Sequence, residues 1–195
     1  MNNYLKLLRA KRTIKSLLKK MFIAKQKKKE NIAEYLLYMW QLEDILRAYE
    51  LNIDKVQQAL IDPTNSSVEE KEEARDWYNQ LINSIRSEEI EKEGHLEINK
   101  ALLKSLTELH LQLLNNANEK EYIETYYKTS PFIAELKKKA NIKDVSEIET
   151  CFTALYGYLL LKLQKKEISS ETSSAISQIS SLLRILSEKY KSLSN

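Results

Sequence analysis

The sequence predicts an all-α fold, a single-domain irregular helical bundle of about six helices. Two glycines and two prolines among 195 residues are too few for the hairpin turns and Gly-rich loops that multi-stranded folds need. Hydrophobic residues make up 43% of the chain and charged residues 30%, a balance that excludes a disordered chain. No apolar run approaches the roughly 18 residues of a membrane-spanning helix, so no transmembrane segment is predicted.

The first predicted helix is long and amphipathic. Apolar residues recur at helical spacing from Glu30 to Tyr49. A shorter helix is expected over Asn52–Ile61, with Asn52 as its N-cap. The turn-forming residues Asp62–Ser67 then predict a loop.

Start and stop signals frame the next two helices. Ser67 and Glu70 have the spacing of a capping box, so a helix is predicted to begin there. Gly94 can adopt the left-handed conformation that ends a helix, and we expect the helix to run to this residue. Leu96–Leu113 then has the apolar periodicity of a further helix.

The C-terminal third predicts the remaining helices. Glu119–Lys128 is helical, and Pro131 favours the start of a separate helix over Pro131–Ala140. Val145–Lys166 predicts a long helix whose nearly all-apolar second half, Phe152–Leu163, should make it the most buried one. Ser169–Leu193 predicts the last helix.

Positive charge is concentrated at the N-terminus. Residues 1–30 carry eleven Lys or Arg against the single acid Glu30, a net charge of +10. Residues 31–195 carry 20 basic and 27 acidic residues, a net charge of −7. A basic arm on an acidic body is typical of contact with a polyanion or an anionic membrane surface. The candidate polyanion contacts are Lys11, Arg12, Lys19, Lys20, Lys27, Lys28 and Lys29.

Met21 opens a segment that resembles a translation start. On that hypothesis residues 1–20 are a basic extension outside the working protein, and residues 21–195 form one helical-bundle domain. The sequence leaves open whether residues 1–20 are translated. One cysteine cannot form an internal disulfide, and frequent basic residues before Met21 interrupt the apolar stretch of a secretory signal, so we expect a cytoplasmic protein.

Residues for metal or covalent chemistry are sparse. Neither histidine is preceded by Glu at the third position, as di-iron bundles require: Lys92 precedes His95, and Thr107 precedes His110. The histidines are fifteen residues apart, about 22 Å along a helix, which is too far to share a metal. We expect His95 to hydrogen-bond locally at a helix start and His110 to lie at the core boundary. No catalytic, cofactor or metal site is predicted, although carboxylates from separate helices could converge, so an enzyme stays open.

Small residues recur along the predicted central helix. Cys151 has no neighbouring cation to lower its pKa and is expected in the core. Cys151, Ala154 and Gly157 follow at three-residue spacing and predict a ridge against which another helix packs closely. On this interpretation Gly157→Leu would overpack the interior.

Tyrosine is unusually frequent, with eleven residues, and two tryptophans accompany it. Rings with a polar edge suit the core, helix junctions, interfaces and ligand pockets. The candidate partner surface is Tyr38, Trp40, Tyr122, Tyr126 and Tyr127. It favours a non-enzymatic protein-interaction or scaffold module that binds a protein partner or self-associates. The alternative is a nucleic-acid-associated protein that binds phosphate through its basic arm.

Two stretches resemble a known family. The first runs from Met21-Phe22-Ile23-Ala24-Lys25 through Glu30–Tyr35 to Leu36–Asp44, and the second is Gly94-His95-Leu96 with Asn99-Lys100. Both are similar to a bacterial family known as a domain of unknown function. The resemblance implies an uncharacterised, all-helical bacterial protein from Met21 onward. It implies no activity and does not include residues 1–20.

Overall fold

The computed structural model describes residues 26–141 and 144–193. Within these residues a short helical segment at residues 26–30 is followed by seven α-helices and one π-helix, and no strand is present. The α-helices are α1 (Ile32–Ala48), α2 (Ile53–Val56), α3 (Val68–Ser87), α4 (Glu97–Leu114), α5 (Lys120–Ala140), α6 (Glu147–Leu163) and α7 (Ser170–Leu193). The π-helix Gln57–Ile61 directly follows α2. The all-α prediction is confirmed, whereas six helices is too low a number for the described residues.

The described residues divide into two compact units. The first contains residues 26–29 and 38–100, and the second contains residues 30–37, 101–141 and 144–193. In the first unit α2 and the π-helix pack against α3. In the second unit α5, α6 and α7 pack against one another. The single domain over residues 21–195 stays a prediction.

Both N-terminal capping predictions are confirmed. The Asn52 side chain accepts hydrogen bonds from the backbone N–H groups of Asp54 and Lys55. The Ser67 hydroxyl accepts from the Glu70 backbone N–H, and the Glu70 carboxylate accepts from the Ser67 backbone N–H, which completes the capping box. These side chains satisfy N–H groups that lack a partner inside the helix.

The predicted end of α3 is wrong. The helix ends at Ser87, and Glu89 takes the left-handed conformation with φ 55°. Gly94 also has a positive φ, 98°, but it lies in the segment before α4 and does not end α3. Helix stop signals are weak here because a non-glycine residue occupies the left-handed position.

Pro131 does not start a new helix. Helix α5 runs through it from Lys120 to Ala140. A proline inside a helix lacks the N–H that would donate to the carbonyl four residues earlier, which here belongs to Tyr127. The Ser130 hydroxyl donates to that carbonyl at 3.4 Å and offsets part of the loss.

Helix α6 is buried at its beginning and not at its end. Ile148, Cys151 and Phe152 have no accessible surface, as predicted for Cys151. None of residues 154–163 is buried, and Leu163 is 40% exposed, so the expected most buried segment is the least covered half of the helix. A Cβ atom placed on Gly157 would meet nothing within 4 Å among the described residues, so the predicted close packing is wrong at Gly157.

No helix in residues 26–141 or 144–193 is long and apolar enough to cross a membrane.

Candidate functional site

The first unit is organised around a buried carboxylate. Glu43, in the middle of α1, is 1% exposed. Its Oε2 lies 2.6 Å from Nδ1 of His95. Its Oε1 accepts from the Leu96 backbone N–H at 3.1 Å and from the Asn99 side-chain amide at 2.7 Å. We call Trp40, Glu43, His95, Leu96 and Asn99 the Glu43 cluster.

Within this cluster Glu43 acts as an N-cap supplied by another helix. Leu96 immediately precedes α4, and its N–H has no acceptor inside that helix. A carboxylate at a helix N-terminus also interacts favourably with the helix dipole. Three donors therefore offset the cost of burying the Glu43 charge.

The imidazole of His95 is held on two sides. Its ring stacks on Trp40 at a centroid distance of 4.0 Å and an interplanar angle of 10°. The expectation that His95 hydrogen-bonds locally is wrong, because its partner Glu43 lies 52 residues away in the chain. Trp40 is itself buried.

Arg47 hydrogen-bonds to the segment immediately before His95. Its Nε donates to the Ile90 carbonyl at 3.1 Å, and Nη2 donates to the Gly94 carbonyl. Nη1 is paired with Asp44 at 3.0 Å. The positive φ of Gly94 orients this carbonyl, and a side chain there would be strained.

A second polar cluster lies inside the other unit. His110 on α4 is 2% exposed, and its Nδ1 lies 2.6 Å from the Tyr122 hydroxyl on α5. Its Nε2 is 3.4 Å from Oε2 of Glu147, the first residue of α6. Tyr126 donates to the other Glu147 oxygen at 3.3 Å. We call His110, Tyr122, Tyr126 and Glu147 the His110 cluster.

Burial dominates the acid–base behaviour of this cluster. Desolvation lowers the pKa of His110, and the nearby Glu147 carboxylate opposes that shift without reversing it. Burial also raises the pKa of the Tyr122 hydroxyl, and it raises the pKa of the Cys151 thiol to about 12. The His110 cluster therefore holds a neutral imidazole, and the thiol of Cys151 is protonated. The prediction that His110 lies at the core boundary is wrong, because its ring is enclosed by the tyrosines of α5.

A cleft of about 390 Å³ opens between α5 and α7. Phe132, Leu136 and Ile176 contribute its apolar lining. Among its polar groups, Lys139 binds Glu135 at 2.6 Å and the Ser169 hydroxyl donates to Thr172. In the described residues no group of three or more His, Cys, Asp or Glu could hold a metal ion.

The five predicted partner residues differ in exposure. Trp40 and Tyr122 are buried, and each packs against a histidine ring. Tyr38 is half-buried, and burial raises the pKa of its hydroxyl. Tyr126 is half-buried and donates a hydrogen bond to Glu147, whereas Tyr127 is 69% exposed.

The candidate polyanion contacts lie only partly in the described residues. Lys11, Arg12, Lys19 and Lys20 fall outside them, as does Met21. Lys27, Lys28 and Lys29 lie on helical residues 26–30, where Lys28 and Lys29 are exposed and Lys27 is half-exposed.

Residues 21–195 match the family described as "Domain of unknown function (DUF4924)". The chain belongs to the DUF4924 family. No curated protein and no solved structure matches it significantly. The DUF4924 match excludes residues 1–20, in agreement with the range of the resemblance seen in the sequence.

The two stretches that carried the resemblance meet in the DUF4924 domain. Trp40 and Glu43 come from the first stretch, and His95, Leu96 and Asn99 come from the second. Together they are the Glu43 cluster. Neither Glu43 nor Glu147 was singled out from the sequence, because no spacing pattern links them to histidines on other helices.

We expect Glu43→Ala to lower the free energy of unfolding by about 3–5 kcal/mol, because three donors lose their acceptor and two of them stay buried. His95→Ala should cost clearly less, since Leu96 and Asn99 keep their acceptor. Denaturant unfolding measures both. The adjacent Asp44→Ala is the control and should cost under about 1 kcal/mol. Equal losses for the Glu43 and Asp44 variants would contradict this role of Glu43.

We also expect stability to depend on pH through His110. The unfolded imidazole takes up a proton near its ordinary pKa of about 6.5, whereas the buried one does so only at lower pH. The unfolded state therefore binds more protons in this window, and its contribution makes stability fall as pH drops below about 6.5. Thermal unfolding at closely spaced pH values should show a shallower slope for His110→Gln than for the wild type. An unchanged slope would show that His110 does not titrate on unfolding.

Proposed function

We propose that the protein is a non-enzymatic protein-interaction module of the bacterial cytoplasm, which binds a protein partner through the second half of α6. The single observation that carries the proposal is the incomplete coverage of residues 154–163, which we call the exposed half of α6. This segment is apolar except for Gly157 and Lys162, yet none of its residues is buried. An apolar surface of this kind, with polar residues at its edge, is typical of an interaction site.

The proposal of a non-enzymatic module is supported by the state of the nucleophilic and titratable groups. The imidazoles of His95 and His110 are engaged by Glu43 and Tyr122. The Cys151 thiol is buried, and its pKa is raised to about 12, so it is a poor nucleophile near neutral pH. General bases and nucleophiles need access to a substrate, which the buried His110 and Cys151 lack, and the partly exposed His95 is engaged by Glu43.

Affinity capture with matched variants tests the proposal. Leu163→Gln alters the exposed half of α6, and Leu111→Gln alters a leucine of similar exposure on α4. We expect the wild type and Leu111→Gln to retain the same protein. Leu163→Gln should retain roughly tenfold less of it, because a leucine that becomes buried in the complex contributes about 1–2 kcal/mol to binding. Identical recovery from all three proteins would overturn the proposal.

A nucleic-acid-associated protein is a second candidate function. It is supported by the net charge of +10 on residues 1–30 and by the exposure of Lys28 and Lys29. Lysines on a helical segment can contact successive phosphates without reading sequence.

The salt dependence of RNA binding tests this second candidate. With six to ten phosphate contacts, the affinity of the full chain should fall roughly 10³- to 10⁵-fold between about 50 and 200 mM salt. A chain that begins at Met21 keeps four of the eleven basic residues and should bind far more weakly. Anionic vesicles are the control for a membrane-surface interaction. Equal RNA binding by both chains would rule out residues 1–20 as the contact.

A further inference from the structure

We propose that the occupant of the exposed half of α6 is a second copy of this chain, packed antiparallel across a two-fold axis at Gly157. The inference rests on the proposed function and names its partner. The open space at Gly157 is its starting point, because a Cβ there meets nothing within 4 Å among the described residues. A glycine in an uncovered apolar helix lets another helix approach closely.

Residue sizes along α6 are complementary about Gly157. In an antiparallel pair related by a two-fold axis, residues at equal distances from the axis lie opposite one another. Ala154 and Leu160 are each three residues from Gly157, so a small side chain faces a large one in both halves of the contact. Thr153 and Leu161, each four residues away, repeat the arrangement. Thr153 is exposed and the leucines are only partly covered, so all are accessible.

Charges along α6 are complementary about the same point. Glu149 lies on α6 eight residues before Gly157, about 12 Å along the helix, and Lys165 lies eight residues after Gly157, two residues beyond the end of the helix at Leu163. Neither forms an ion pair with another described residue. The first turn of α6 carries Glu147 and Glu149, and its end carries Lys162. Antiparallel packing therefore places acidic and basic ends together and opposes the two helix dipoles.

No other exposed apolar residue offers a comparable surface in the described part of the chain. Val68, Ile98, Leu111, Tyr127 and Leu193 are large and exposed, but they are spread over four helices, and Ile98 and Leu111, which share α4, are thirteen residues apart. Single exposed apolar residues are normal on a protein surface. Charge complementarity favours a second copy because α6 begins with acidic residues and ends with a basic one, so an antiparallel copy of it presents the opposite sign at each end.

Sedimentation velocity of the full chain from micromolar to several hundred micromolar tests the inference. We expect a concentration-dependent dimer. Gly157→Leu should weaken dimerisation roughly tenfold or more, because it fills the point of closest approach. The same change should leave the denaturant midpoint of the monomer at or above the wild-type value, because the site is open and leucine favours helix over glycine. Ala134→Leu, a matched enlargement at an exposed position of α5, should leave the dimer unchanged.

Charge reversal tests the antiparallel register. Glu149→Lys alone and Lys165→Glu alone should each weaken the dimer several-fold, and the double variant should restore it. A wild type that stays monomeric at every concentration overturns self-association. So does a dimer that is insensitive to Gly157→Leu and charge reversal, or one that is lost when residues 1–20 are removed. If the capture experiment still yields a different protein that depends on Leu163, the interaction function stands and only the second copy is wrong.

Discussion

The buried carboxylate of Glu43 is the constraint on which the first unit depends. A charge without water is costly unless several donors surround it, and here the donors come from His95, Leu96 and Asn99. They lie along the last residues before α4 and its first turn. The hydrogen bonds to the two carboxylate oxygens of Glu43 therefore determine where α4 begins relative to the middle of α1. Arg47, one turn after Glu43, holds the preceding segment through two carbonyls.

In the second unit the buried titratable group is His110, and its imidazole is neutral. His110 is enclosed by tyrosines and has one carboxylate at 3.4 Å, so burial outweighs the attraction and lowers its pKa. The Glu147 carboxylate reaches the surface, where water can share its charge. Both histidines thus serve to join helices. His110 and Cys151 lie in the interior, whereas His95 is only partly covered.

The two halves of helix α6 are both apolar but differ in burial. Its first half contributes Ile148, Cys151 and Phe152 to the interior, next to the His110 cluster. Its second half is at least as apolar but lies where α5 and α7 cover it only in part. We therefore place the proposed interaction at this uncovered surface and not at either polar cluster. Its complementary sizes and charges about Gly157 are the basis for expecting a second copy.

The all-α class, the N-caps at Asn52 and Ser67 and the interior position of Cys151 followed from the sequence, because each depends on local periodicity, capping chemistry or side-chain type. The pairing of Glu43 with His95, the continuity of α5 through Pro131 and the exposure of the second half of α6 were decided by tertiary structure. Periodicity reports how apolar a helix face is, but not whether a neighbour reaches it. A hydrogen bond between residues 52 positions apart leaves no periodic signal in either segment, because its geometry exists only after the helices have packed.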